Sequence, residues 1–93
     1  MYNYKVLIAD CAWGQVNDWI QSFEIETKVP FDKLKKDDIA IALSRATNKS
    51  AKYIRDNYEY DFSLDNVIYL DRYASVEDDD EAYLEECIKI MRR

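Results

Sequence analysis

Near the N-terminus, Tyr2, Tyr4, Val6 and Ile8 alternate with Asn3, Lys5 and Leu7. Period two in β-prone residue types describes a strand that turns one face to a core. Leu7 and Ala9 are apolar too, so both faces are expected to be covered toward the end of this strand. The same alternation returns at Phe23, Ile25, Thr27 and Val29, against Glu24, Glu26 and Lys28, and Pro30 stops it. A third candidate strand is the apolar run Val67 to Leu70, bounded by Asp65-Asn66 and Asp71-Arg72. Two strong period-two segments oblige the chain to build a sheet, and the rest must cover it.

Helical spacing marks the remainder. Trp13, Val16 and Ile20 are spaced for a short helix over 11–21, weakened by Gly14. Residues 30–58 read as two helices; in the first, Ile39, Leu43 and Ala46 recur at i, i+4 and i+7, with Asp37 or Asp38 as the cap. Ile39, Ile41 and Leu43 also alternate, but the continuation into Ser44-Arg45-Ala46 favours a helix. Thr47-Asn48-Lys49 reads as a turn, and Ser50 caps a second helix that carries Ala51, Ile54 and Tyr58 on one face. Val76, Asp80, Tyr83, Leu84, Cys87, Ile88 and Met91 form one stripe of a final helix. The expected fold class is therefore α+β: a small three-stranded antiparallel sheet (2–10, 22–29, 66–71) with helices packed on one face. With 93 residues and neither linker nor repeat, the chain is expected to form one domain, 1–93.

The final segment opens with five consecutive acids, Glu77-Asp78-Asp79-Asp80-Glu81. Helix physics accounts for part of the run. Asp78 and Glu81 have capping-box spacing, acids suit the positive end of a helix, and Arg92 and Arg93 suit the negative end. Five adjacent carboxylates exceed what a helix start needs, and Glu85 and Glu86 extend them. A solvated negative ridge can imitate spaced phosphates and occupy a basic groove. Glu77, Asp78, Asp79, Glu81, Glu85 and Glu86 are thus the candidate partner-binding residues. The run lacks the alternating oxygen spacing and the glycine of a calcium loop, so no metal site is expected.

Absences narrow the chemistry. The chain has no histidine, which removes Ser-His-Asp and Cys-His catalysis and His-ligated zinc. A single glycine leaves no Gly-rich phosphate loop. Cys11 and Cys87 are too few for a four-cysteine zinc site, and we expect two buried free thiols. Paired-carboxylate hydrolysis remains formally open, but so short a chain leaves little room for a substrate cleft. We expect no enzyme, no catalytic residue and no cofactor. The N-terminus lacks a basic flank and a long apolar run, so a cytoplasmic location without a membrane span is expected.

Residues 38–58 resemble the helix-turn-helix of small DNA-binding regulators through Ile39, Leu43, Ala46, Ser50 and Ile54. The turn lacks the glycine such motifs often carry, which bears on the interhelical angle. The resemblance implies that Arg45, Lys49, Lys52 and Arg55 meet phosphates or bases. The net charge of −6 opposes approach to DNA. Charge is also segregated: −3 over 1–27, +5 over 28–55 and −8 over 56–93. This implies either two faces with different partners or a middle and a C-terminal part that attract each other within one fold.

In size and in its acidic, tyrosine-rich, histidine-free composition, the chain resembles the small phage-encoded inhibitors of bacterial defence systems, the anti-CRISPR and anti-restriction proteins. That resemblance implies a monomeric or dimeric, non-catalytic protein-binding domain. It would act as a stoichiometric inhibitor of a basic nucleic-acid-handling protein, in the cytoplasm of a bacterial host. The alternative is a DNA-binding regulator that uses residues 38–58.

Overall fold

The computed structural model describes residues 1–12, 15–63, 66–75 and 82–92. The elements are β1 (Tyr2–Ala12), β2 (Gln15–Thr27), a single 3-10 turn (Phe31–Lys33), α1 (Lys36–Ala46), α2 (Ala51–Asn57), β3 (Glu59–Asp61), β4 (Val67–Ser75) and β5 (Ala82–Met91). The strands form one five-stranded sheet in the order β2-β1-β5-β4-β3, and every pairing is antiparallel. At about 3.4 Å per residue, the 13-residue β2 accounts for most of the 46 Å long axis.

The core follows from the alternation. Val6 lies opposite Ile90, which lies opposite Ile68, and Ile8 lies opposite Ile88, which lies opposite Leu70. These six side chains share one face of the three central strands and are all buried. Tyr4 and Ile25 extend the face toward β2, and Ile39, Ala40, Ala42 and Leu43 of α1 with Ile54 of α2 complete the cluster. The opposite face carries Leu7, Lys89, Tyr69 and Met91, all half-buried. There the Lys89 ammonium lies 5.7 Å from the Trp19 ring and 6.0 Å from the Tyr69 ring.

The expected three-stranded sheet is overturned: the described residues are mostly sheet, with five strands and two short helices. The largest correction concerns the C-terminal segment. Residues 82–91 are not a helix but β5, the middle strand. Leu84, Ile88 and Met91 fit helical spacing, yet Ile88 and Ile90 also alternate with Cys87 and Lys89. Only the gap between β1 and β4, whose backbones both need a partner, selects the strand. The expected stripe positions Val76 and Asp80 and the expected cap Asp78 lie outside the described residues, and Arg92 follows a strand rather than a helix end.

The short helix over 11–21 is likewise replaced. β1 runs on to Ala12 and β2 begins at Gln15, so Val16 and Ile20 sit on a strand, while Trp13 and Gly14 lie outside the described residues. β3 was not foreseen, and β4 runs four residues beyond the expected 66–71. Asp37 and Asp38 do not cap α1; Lys35 occupies the cap position, and its backbone N–H donates to the Asp38 carboxylate. Ser50 does cap α2, accepting from the Tyr53 N–H at 3.1 Å. Cys87 is buried and Cys11 only half-buried, and both are free thiols.

Candidate functional site

Two distortions of the sheet build the site. On β5 the register slips between Arg72 and Tyr73: Arg72 pairs with Glu86 and Tyr73 with Leu84, which leaves Glu85 unmatched. Such a bulge can turn two successive side chains toward one side. Arg72 accordingly reaches both acids, Nη1 to Glu85 Oε2 at 2.8 Å and Nη2 to Glu86 Oε2 at 3.6 Å. A similar slip on β2, between the partners of Ile8 and Ala9, leaves Ile20 unmatched beside Gln21.

Lys49 approaches from the turn after α1. The Thr47 hydroxyl donates to the Leu43 carbonyl at 2.8 Å and accepts from the Lys49 N–H at 3.3 Å, which sets the turn. From there the Lys49 ammonium donates to the Tyr58 hydroxyl at 2.8 Å and to Glu86 Oε1 at 2.9 Å. Tyr58, placed by the end of α2, donates its own proton to Glu86 Oε1. Burial works against the Glu86 charge. The bonds from Tyr58 and Lys49 and the charges of Lys49 and Arg72 outweigh it and hold the carboxyl below its ordinary value. Burial also opposes the Lys49 charge, and the bonds to Tyr58 and Glu86 reverse that effect and raise its pKa. Tyr58 is pushed up by burial and by the adjacent carboxylate.

Every member is therefore held in its ordinary protonation state at neutral pH: Glu86 charged, Lys49 charged, Tyr58 neutral. None is tuned toward the pH at which a general acid or base works best. The cluster is an electrostatic clamp that fastens the α1–α2 turn to the middle strand. Beside it lies a hollow of about 470 Å³, lined by Ile8, Ile20, Phe23, Ala46, Lys49 and Glu86 among others.

The sequence-predicted site residues divide as follows. Glu77, Asp78, Asp79 and Glu81 lie outside the described residues. Glu85 is exposed and paired with Arg72, whereas Glu86 belongs to the half-buried clamp. Lys49 meets Glu86, so one candidate from each predicted set joins the other. Arg55 lies 3.7 Å from Asp37 and 3.4 Å from Asp56, while Arg45 and Lys52 are exposed. Tyr58 and Arg72 carry no sequence signal, because their partners lie 28 and 14 residues away. The opposed charges of the middle and C-terminal segments did foreshadow the Lys49–Glu86 contact.

A second feature occupies the end of the sheet where β1 and β5 cease to pair beyond Asp10 and Glu86. The β1–β2 and β4–β5 hairpins both continue past that point. Past it, Val16 on one arm and Tyr73 and Tyr83 on the other are exposed; Trp19, opposite Ala9, and Ile20, in the bulge beside it, are exposed just before that point. Among the described residues, no group of acids, cysteines or histidines is arranged to hold a metal ion. No helix there is long and apolar enough to cross a membrane. Comparison with protein-family models, with curated proteins and with solved structures finds no match.

Proposed function

We propose that this chain is a non-catalytic protein-binding domain and that it acts as a stoichiometric inhibitor of a basic, nucleic-acid-handling protein. The observation that carries the reading is the hairpin end of the sheet. Tyr73 and Tyr83 past the last β1–β5 pair, and Trp19 and Ile20 just before it, are each more than 40% exposed, with Asp10, Asp18 and Glu85 on the same hairpins. Large aromatic side chains in a polar rim are the composition of protein-contact hot spots, and carboxylates speed encounter with a cationic partner. A catalytic role finds less support, since the half-buried Lys49–Tyr58–Glu86 cluster is held in its resting charge state. The helix-turn-helix alternative also finds less: Lys49 is committed to Glu86 and Tyr58, Arg55 is paired with acids, and α2 has only seven residues.

The test passes nuclease-treated bacterial lysate over the immobilised chain and over a Trp19→Ala/Tyr83→Ala variant. The expected result is a protein retained by the first and not the second, whose nucleic-acid binding is then lost on titration to one equivalent. Retention unaffected by the variant, or a captured protein that still binds nucleic acid at saturation, overturns the reading. Binding of duplex DNA by the chain itself at low salt would instead favour the regulator.

A further inference from the structure

We infer that Cys11 and Cys87 form a redox latch: a peroxide joins them in a disulfide that fastens the β1–β2 hairpin to β5 and fixes how the two exposed arms of the sheet lie to each other. The consequence for binding rests on the protein-binding reading; the latch itself does not. Ala9 lies opposite Cys87, and Cys11 stands two residues beyond Ala9 on the same strand. The two cysteines are therefore diagonal neighbours on the sheet face away from the helices. The Cys87 backbone N–H donates to the Cys11 sulfur, so that sulfur already leans toward β5. Cys87 in turn donates its thiol proton to the carboxylate of Asp71, its partner on β4.

Diagonal pairs in a regular sheet stand about 7–8 Å apart between Cα atoms, just beyond what a disulfide usually spans. Here the sheet does not hold the pair at that spacing. β1 and β5 stop pairing at Asp10 and Glu86, one residue short of Cys11, and β5 carries its bulge at Glu85. Cys11 keeps its pairing with Val16 of β2, so closure onto Cys87 carries the hairpin along. Val16 travels on that arm, while Tyr73 and Tyr83 stay on the other. The chemistry balances with a peroxide as oxidant. The Cys11 sulfur attacks one peroxide oxygen and the O–O bond breaks. The thiol proton goes to the departing oxygen, which leaves as water, and Cys11 becomes a sulfenic acid. The Cys87 sulfur then attacks the Cys11 sulfur as its own proton passes to Asp71; hydroxide leaves and takes that proton as a second water. Two thiols lose two electrons and the peroxide gains them. Burial and nearby carboxylates keep both thiols protonated, so the latch answers sustained rather than brief exposure.

The test treats the full chain with hydrogen peroxide, caps the remaining thiols with N-ethylmaleimide, and reads intact mass and tryptic peptides. The expected product is a monomer that has lost two hydrogens and taken no cap, with peptides 6–28 and 73–89 joined. The bond closes a loop of roughly 75 residues, so Tm should rise on the order of 10 °C and fall back with dithiothreitol. Cys11→Ser, at a half-buried position, should fold and show no such rise. Amide shifts on oxidation should centre on Cys11, Val16 and Cys87. Cys11 driven to sulfinic acid while Cys87 takes the cap, dimers linked through Cys11, or a Tm left unchanged or lowered overturn the latch. Lysate capture is then repeated with the reduced and the oxidised chain. The oxidised chain should hold its partner several-fold more tightly, because its arms are already fixed. Equal capture by both forms overturns control of binding by the latch. Capture by neither form sinks the protein-binding reading, while the bond mapped on the chain alone stands.

Discussion

Replacing Glu86 with glutamine removes one negative charge from the clamp and little volume. The glutamine carbonyl can still accept from Lys49 and Tyr58, so what is lost is the charge assistance of those two bonds and the attraction to Arg72, 3.6 Å away. Hydrogen bonds to charged groups contribute about 1.5–3 kcal/mol net, against about 1 kcal/mol for neutral ones. The difference over two bonds is about 1–4 kcal/mol, and the Lys49 side chain, 34% exposed, brings it to the lower part of that range through solvent screening. We expect Glu86→Gln to destabilise the chain by about 1–2 kcal/mol at pH 7. For a domain of this size that lowers Tm by several degrees. The pH dependence gives the sharper check. The folded-state pKa of Glu86 lies below its unfolded value, so its contribution is complete above the unfolded pKa, about 4.3. It is lost as pH falls through the folded pKa. Urea unfolding followed by circular dichroism at pH 7 and pH 2.5 should therefore show a gap between the two proteins that closes at the lower pH. A cost below about 0.3 kcal/mol at pH 7, or a gap that persists in acid, would refute the clamp.

Three further outcomes follow from the core and the sheet. Leu70→Ala, at a fully buried position of β4, should cost about 2–5 kcal/mol in the same unfolding assay. Lys89→Pro, in the middle of β5, should cost more than Lys52→Pro near the start of α2, because β5 is hydrogen-bonded on both sides; thermal denaturation compares them. In the native protein Cys11 should react with a thiol reagent before Cys87. Cys87 is buried, and burial together with its bond to Asp71 pushes its pKa up to about 12; mass spectrometry of the partly labelled chain reads the order.

Local physics made part of this molecule legible from the sequence alone. The alternation of Tyr2 to Ile8 and of Phe23 to Thr27 yields β1 and the regular half of β2, because a strand with one buried face has only one periodicity. The spacing of Ile39, Leu43 and Ile54 and the Ser50 cap yield α1 and α2, because helices are specified by residues three and four apart. The absence of histidine excludes its chemistry in any fold. The identity of β5 was not legible. Leu84, Cys87, Ile88 and Met91 satisfy helical spacing while Ile88 and Ile90 alternate, and within the segment nothing separates the two. The choice falls to β1 and β4, which come from opposite ends of the chain and leave two rows of backbone groups that only a strand between them can satisfy. The same holds for the clamp. Opposed charges in the middle and C-terminal segments announce attraction, but only the tertiary fold chooses Lys49 and Glu86, 37 residues apart, and sets Tyr58 and Arg72 around them.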